Sequence, residues 1–370
     1  MEESTKRKER IKFMKDNLFS AVYEVEKILF GDSDKGSMRK EVKECILEHK
    51  VPEGPKYLMM KITNTCNSNC AYCSHAYSNQ EEEKSDISLD LIKKTIREAG
   101  QMHVTAASIN GGEPLVRKDI AEIIRVLIAE HITPVLMTNG LLLPKCWDEL
   151  GAAGLRYIIM SFDSLDPKTY NKQRGANFQD AMAGIDAAVA LKEKYGDAHI
   201  HVTTVLTKNN ARELPEFIEY MTNRGIYVQL SPYHHFNPSI PNELRITDPE
   251  EIFTLTGRLL QMKREGMLIA NSEGFITHLP DFFLKDQRVP MDYRCLIGYT
   301  NVFVDAYMNV HCCWDGCFKP IGNLQEHSLK EIWSSKVYQD AREKMMNCDC
   351  SGCWYLCTGE VTMFLLDQEM

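Results

Sequence analysis

Three cysteines, Cys66, Cys70 and Cys73, stand in the run Thr63-Asn64-Thr65-Cys66-Asn67-Ser68-Asn69-Cys70-Ala71-Tyr72-Cys73, with the spacing C-x3-C-x2-C. A four-iron, four-sulfur cube takes one thiolate per iron. Three thiolates leave one iron without a protein ligand, and an open coordination position is where a metal centre does chemistry. The short x2 arm holds two thiolates close, and the x3 arm reaches a third corner. A zinc site is the competing reading. Zinc needs a fourth ligand, for which His75 is at hand.

The elements around this loop follow a pattern. Tyr57-Leu58-Met59-Met60-Lys61-Ile62 is an apolar run that reads as a buried strand. Further strands are expected at 104–109, 133–138, 156–161, 199–206 and 226–231. Amphipathic stretches lie between them: one capped by Ser88, one carrying Ile120, Ile124 and Leu127, and others at 142–152, 178–194 and 211–223. Six β/α units with crossover helices imply a parallel sheet. The expected fold class is α/β: a partial (β/α)6 TIM-like barrel with an N-terminal helical segment and a small C-terminal cysteine-rich domain. Barrels of this kind keep their chemistry in the loops after the strands, and the cysteine loop follows strand one. The expected divisions are a helical segment at 1–54, the barrel at 55–240, a linker and substrate-contact region at 241–289, and the cysteine-rich domain at 290–370. In the first segment Ile11, Met14, Leu18, Val22, Val25 and Leu29 form one apolar face, and a second short helix is expected at 37–48.

Other loops after strands carry polar groups. Asn110-Gly111-Gly112-Glu113-Pro114 follows strand two. Two glycines let the backbone approach a ligand, and the Glu113 carboxylate suits an ammonium group. Ser161 and Asp163 follow strand four, with Arg174 in the next connection; an arginine suits a carboxylate. Helix capping is the plain alternative for Asp163 and Ser164. Thr138-Asn139-Gly140 ends strand three, as a turn or as part of a ribose pocket. Ser231-Pro232 ends strand six, and Tyr233, His234 and His235 follow it toward the expected substrate cavity.

Bulk numbers exclude several classes. The net charge of −9, from 43 basic and 52 acidic residues, speaks against nucleic acid, which asks for a basic face. No apolar run approaches the length of a membrane span, and the first ten residues carry no apolar signal core. Of 13 cysteines, three lie at 66–73 and eight between 295 and 357; only Cys45 and Cys146 stand apart. Clustering without an export signal favours metal over disulfides and a reducing, cytoplasmic setting.

The cysteine loop after strand one, with the Gly-Gly-Glu run after strand two, resembles the radical SAM superfamily. The resemblance implies that Cys66, Cys70 and Cys73 hold a [4Fe–4S] cluster whose open iron binds S-adenosylmethionine. Reductive cleavage then yields a 5′-deoxyadenosyl radical that takes a hydrogen atom from a substrate C–H bond. By the same resemblance Gly111, Gly112 and Glu113 cradle the methionine amino group. Ser161, Asp163 and Arg174 serve the carboxylate and ribose, Tyr72 packs near adenine, and Asn139 lines the ribose pocket. An electron donor such as flavodoxin or ferredoxin is the implied partner, with a small-molecule or peptide substrate.

The second cysteine set comprises Cys295, Cys312, Cys313, Cys317, Cys348, Cys350, Cys353 and Cys357. With the stretch Ile321 to Trp333 between its halves, it resembles the SPASM or twitch extension, which carries one or two auxiliary [4Fe–4S] clusters. Eight thiols suffice for two clusters. Equally, Cys295, Cys313, Cys350 and Cys353 suffice for one, and a zinc ribbon needs only four. Two hairpin strands, 300–305 and 308–312, are expected to bring Cys295 near Cys313. An auxiliary cluster accepts the electron that a substrate radical must lose to become an oxidised product, whereas epimerisation needs a thiol donor, for which Cys312 and Cys317 are candidates. Asp305 and Asp315 are the candidate bases. The expected activity is that of a radical SAM oxidoreductase acting on a small metabolite or natural-product intermediate. A peptide or protein maturase is the alternative, and a non-catalytic metal scaffold the third reading.

Overall fold

A computed structural model describes residues 35–73, 87–235, 242–285, 294–313, 318–347, 350 and 352–362. The helix expected over 11–29, and His75, Asp315, Cys317 and Cys348, lie outside the described residues.

Helix α1 (Lys35–Leu47) leads into strand β1 (Tyr57–Lys61). Strands β2 (Ala106–Asn110), β3 (Thr133–Thr138), β4 (Tyr157–Ser161), β5 (His199–Leu206) and β6 (Tyr227–Pro232) follow, each starting and ending within two residues of expectation. They alternate with helices α2 (Leu89–Gln101), α3 (Ile120–Ala129), α4 (Trp147–Ala152), α5 (Pro167–Arg174), α6 (Phe178–Tyr195) and α7 (Leu214–Asn223). Ser88 caps α2, its side chain accepting from the Leu91 N–H. The stretch expected as one helix over 142–152 is a 3-10 turn at Leu143–Lys145 and then α4; Pro144 has no N–H to donate to a longer helix. Helix α5 was not expected. Its signals are nonetheless complete: Asp166 as N-cap, Pro167 in the first turn and Gly175 beyond the end at φ 58°.

Strand order is β6-β5-β4-β3-β2-β1, all parallel, and the sheet does not close on itself. This is the partial barrel. Both edges are covered, as exposed strand edges must be. At the β6 edge, Ile269 bridges Val228, and the buried Asn271 side chain accepts from the Leu230 N–H and donates to the Leu230 carbonyl. At the β1 edge lies β7 (Asn301–Val304), parallel to β1, with Tyr57 opposite Asn301. Strands β8 (Asn309–His311) and β9 (Gly322–Asn323) extend the sheet antiparallel, so the C-terminal region continues the barrel sheet. The expected hairpin is β7–β8.

Helices α8 (Pro249–Arg264), α9 (Glu273–Thr277) and α10 (Leu279–Leu284) precede β7; α11 (Leu329–Trp333) and α12 (Lys336–Met346) follow β9. The Trp333 indole N–H donates to the Pro52 carbonyl, and the Leu329 N–H to the Glu98 carboxylate on α2, so α11 is bonded to the barrel and to the segment before it.

The barrel has two sides. Leu58, Met60, Ile109, Leu136, Ile158, Met160, Ile200, Val202, Val228 and Leu230 pack with the helices in one large core. Strand side chains alternate, so Tyr157, Ile159, His199, His201, Thr203, Tyr227 and Gln229 face the other way. There, Val135, Tyr157 and Ile159 form a small apolar cluster of their own.

Candidate active site

The cysteine loop leaves β1 and is bonded to every neighbour. The Gly112 and Glu113 N–H groups donate to the Thr63 and Thr65 carbonyls, both at 2.9 Å. A Cβ on Gly111 would lie 2.4 Å from the Thr63 carbonyl oxygen, so only glycine permits this approach. The Asn139 amide donates to Asn67 Oδ1 and Ser68 Oγ, at 2.8 and 3.1 Å. The Ala71 N–H donates to the Gln173 carbonyl at 2.8 Å. Gly175, in the left-handed region, lies against Asn69, where a Cβ would meet the carbonyl oxygen at 2.3 Å. Segments after β2, β3 and β4 therefore hold the loop in place.

Glu113 is buried, and its carboxylate accepts from the Leu115 N–H (3.0 Å), Thr138 Oγ1 (2.7 Å) and the Asn139 N–H (2.7 Å). Burial raises its pKa while these three donors pull it down. It clamps the Gly-Gly-Glu turn to the end of β3 and thereby orients Asn139 toward the loop. The sequence suggested a ribose contact for Asn139; the structure shows its side chain bracing the residues between Cys66 and Cys70.

Asp163, expected as a carboxylate at the barrel mouth, is fully buried and held by three donors. Arg174 Nη2 lies at 2.6 Å and the Val205 N–H at 2.8 Å from Oδ1, and the Tyr72 hydroxyl donates to Oδ2. It caps no helix; Asp166 does, while Ser164 bonds to the Asp166 backbone. The Arg174 guanidinium sits 5.3 Å from the centre of the Tyr72 ring, and its Nε–H is buried with no acceptor. An orphaned buried donor of a cation is costly. A bound carboxylate would supply the acceptor, so Arg174 fits the role the resemblance assigns it. Ser161, half-buried, ends β4 beside Thr203 on β5.

Burial pushes the Cys66 thiol up, against the Ser68 N–H. It pushes Cys70 up to about 11, against the nearby Arg174. Metal loading must therefore expel protons here. No three His, Cys, Asp or Glu side chains among the described residues gather tightly enough to grip one bare ion.

The barrel interior was missed by the sequence reading. Tyr157 stacks on His199 (centroids 4.7 Å apart) and His201 on Tyr227 (5.0 Å). Thr203 Oγ1 lies 3.0 Å from Gln229 Oε1, and Gln229 Nε2 lies 3.1 Å from His201 Nδ1. The signal was present: β5, His-Ile-His-Val-Thr, alternates polar and apolar inside a parallel sheet, where both faces are usually apolar. His234 joins β6 to the terminal array: its Nε2 accepts from the Trp354 N–H at 2.8 Å and its ring stacks on Tyr355.

The second cysteine set is spread: Cys353 stands beside Trp354, which is bonded to His234 past the end of β6, and the β7–β8 pair carries Cys312 and Cys313 to the start of β1. Phe303 pairs with His311, and Asn301 and Val302 pair with Tyr57 and Leu58. Continuing that register puts Cys312 and Cys313 opposite Val302 and Asn301, at the start of β1, whereas the cysteine loop follows its end. Cys312 is fully buried and Cys313 half-buried, on opposite faces of the chain. Cys295 and Cys353 are buried, Cys357 is half-buried near Tyr57, and Cys350 is exposed. Arg342 fills the core beside Cys312, stacked on Trp333 and Tyr338 and donating to the Gly298 and Trp333 carbonyls. Asp305 organises the β7–β8 turn. It accepts from the Tyr307 and Asn309 N–H groups, the Asn309 amide and His311 Nε2, which together hold its carboxyl below the usual range although burial opposes them. A carboxylate so held is a weak base, and its position is that of a turn residue.

Comparison with known proteins agrees with this geometry. Residues 60–221 match the radical SAM superfamily, and residues 295–354 match SPASM, an iron–sulfur cluster-binding domain. The chain is 32% identical over 301 residues to a probable GTP 3',8-cyclase of Methanococcus maripaludis, covering 78% of this chain and 92% of that one. It is 25% identical over 334 residues to an AdoMet-dependent heme synthase of Methanosarcina barkeri, covering 82% and 90%. Among solved structures it is similar to Streptococcus suis SuiB bound to S-adenosylmethionine, with TM-score 0.65, 20% identity, and coverage of 82% of this chain and 71% of that one. No helix among the described residues is long and apolar enough to cross a membrane.

Proposed function

Because the chain belongs to the radical SAM superfamily and ends in a SPASM iron–sulfur cluster-binding domain, we propose that it oxidises, or epimerises, a small metabolite or natural-product intermediate held inside its partial barrel. One observation carries this reading. The cysteine loop follows the end of β1, whereas the β7–β8 register puts Cys312 and Cys313 opposite its start, about 15 Å away at strand rise.

S-adenosylmethionine and a [4Fe–4S] cluster supply the radical that abstracts hydrogen, and auxiliary iron–sulfur centres supply the means to remove an electron. The protein's own work is placement. Cys66, Cys70 and Cys73 would hold the cluster in a loop locked by Asn139, Gln173 and Gly175. Arg174, aligned by Asp163, offers its unpaired Nε–H to a carboxylate. Tyr72, pinned by Asp163, walls the same site. Gly111 and Gly112 bring the backbone close. Cys295, Cys313, Cys350 and Cys353 are the residues we assign to an auxiliary cluster; a reductant such as flavodoxin or ferredoxin would approach the cysteine loop from outside.

The name of the methanococcal relative supports a small polar substrate. A peptide or protein maturase is the second reading, favoured by the likeness in fold to SuiB, which has also been solved with its precursor peptide SuiA.

The test is anaerobic. The parent protein and a Cys66→Ala/Cys70→Ala/Cys73→Ala variant are reconstituted with iron and sulfide, reduced and given S-adenosylmethionine. The proposal expects 5′-deoxyadenosine from the parent only. The variant should keep about four irons per remaining auxiliary cluster. Zinc in place of iron, with no 5′-deoxyadenosine from either protein, would sink it.

A further inference from the structure

Within the barrel, His201 has a fixed role to play that its neighbours do not satisfy. It is fully buried, on the face of β5 turned away from the helix-side core. Its partners on that face define a directional chain. Thr203 Oγ1 can donate to Gln229 Oε1, at 3.0 Å. That leaves the Gln229 amide nitrogen, which can only donate, pointing at His201 Nδ1 at 3.1 Å. Nδ1 is therefore an acceptor, and the ring proton sits on Nε2. His201 Nε2 is buried and has no hydrogen-bond partner.

The same row of the sheet holds a second such atom. Lys61 pairs with Asn110, Met137 with Ile159, Ile159 with His201 and His201 with Tyr227. The Asn110 amide nitrogen lies 4.0 Å from the Met137 sulfur, which joins β2 to β3 in this row, and 3.3 Å from Ser108 Oγ. Asn110 Oδ1 is buried and without a partner. One interior row thus carries an unpaired donor on β5 and an unpaired acceptor on β2, three strands apart. A polar group buried without a partner is costly, so two on one face call for a ligand.

We propose that His201 Nε2–H and Asn110 Oδ1 are the substrate-recognition pair of the barrel, the first donating to a neutral carbonyl-type oxygen and the second accepting from an N–H or O–H group of the same molecule. This rests on the reading that the substrate lies inside the barrel. A neutral oxygen is the fitting acceptor because the imidazole itself stays uncharged: burial pulls the His201 pKa down to about 3, helped by His199 and Lys192. Gln229 is a positioning residue that acts by selecting the ring tautomer.

The experiment uses the oxidised, reconstituted full-length protein labelled with nitrogen-15 at histidine, kept anaerobic. Long-range proton–nitrogen spectra read which His201 nitrogen carries the proton, and N-methylacetamide serves as a neutral carbonyl probe. We expect the Nε2–H form, no titration from pH 8 to 5, and a His201 Nε2–H shift on adding the probe. Gln229→Leu should move the ring toward a tautomer mixture. An Nδ1–H ring in the parent, protonation near pH 6, or a His201 signal indifferent to the probe would overturn the inference. Cleavage of S-adenosylmethionine is measured in parallel on a portion of the same preparation reduced with dithionite. If cleavage occurs and His201 is indifferent, only this inference fails; if there is no cleavage, the proposed function fails, whatever His201 does.

Discussion

The two cysteine regions are built by different physics. The loop carrying Cys66, Cys70 and Cys73 is held by directed contacts: backbone bonds from Gly112, Glu113 and Ala71, the Asn139 amide, and close packing of Gly175 on Asn69. The region of Cys295, Cys312, Cys313 and Cys353 sits in a core with Trp333, Tyr338, Trp354 and Arg342, all fully buried. The first arrangement fixes direction, as a site that must aim a reactive group requires. The second excludes water, and burial is one of the levers on a cluster's potential. The lesson is that precision in one cysteine region comes from hydrogen bonds, and insulation in the other from packing.

Perturbing one region and watching both tests this contrast. The largest effect is expected from Gly175→Val. Its side chain would drive into the Asn69 carbonyl from a left-handed backbone position, so we predict at least about a hundredfold loss of 5′-deoxyadenosine formation, with retained auxiliary iron. Near-parent turnover would show that the loop does not depend on this contact.

Next comes Arg342→Leu. It removes the stacking on Trp333 and Tyr338 and leaves the Gly298 and Trp333 carbonyls without their donor, so denaturant unfolding should show a loss of about 3 kcal/mol. Arg342→Lys should recover little of it. Stability equal to the parent's would break the picture of a packed, insulating region.

Acid should loosen the molecule without touching the loop's bonds. His201 and His234 are both held down to about 3 by burial. A histidine depressed in the folded state stabilises the fold above its unfolded pKa, and this is lost as pH falls toward the folded value. Each should therefore cost about 2 kcal/mol between pH 7 and pH 5. A flat stability profile over that range would show that one or both rings can take up a proton in the folded protein.

The smallest effect is expected from Asn139→Ala. Losing its contacts to Asn67 and Ser68 should cost about 1 kcal/mol, read as a roughly fivefold drop in loop-bound iron affinity at unchanged global stability. Loss of the whole fold instead would make Asn139 a structural residue.

Much of this was legible in the chain. The six strands, the cap at Ser88, the hairpin after Cys295 and the placing of the cysteine and Gly-Gly-Glu loops after strands one and two follow from patterns a few residues long. Such patterns act locally: alternation, capping and turn chemistry are set by neighbours in sequence. What was not legible depended on distant partners. Asp163 reads as a free carboxylate until Arg174, Val205 and Tyr72 arrive from elsewhere in the chain. Asp305 reads as a base until the turn closes on it.

The sequence by itself determined the ligand types, the strand–helix alternation and the family, because thiol spacing and hydrophobic period are written along the chain. Only the tertiary structure decided which faces look inward, that β7 runs beside β1 so that the β7–β8 pair carries Cys312 and Cys313 to the start of β1, and that His201 and Asn110 share a row. Those facts depend on sheet register, and register is set by pairing between residues up to hundreds of positions apart, where a slip of one would turn every side chain to the other face.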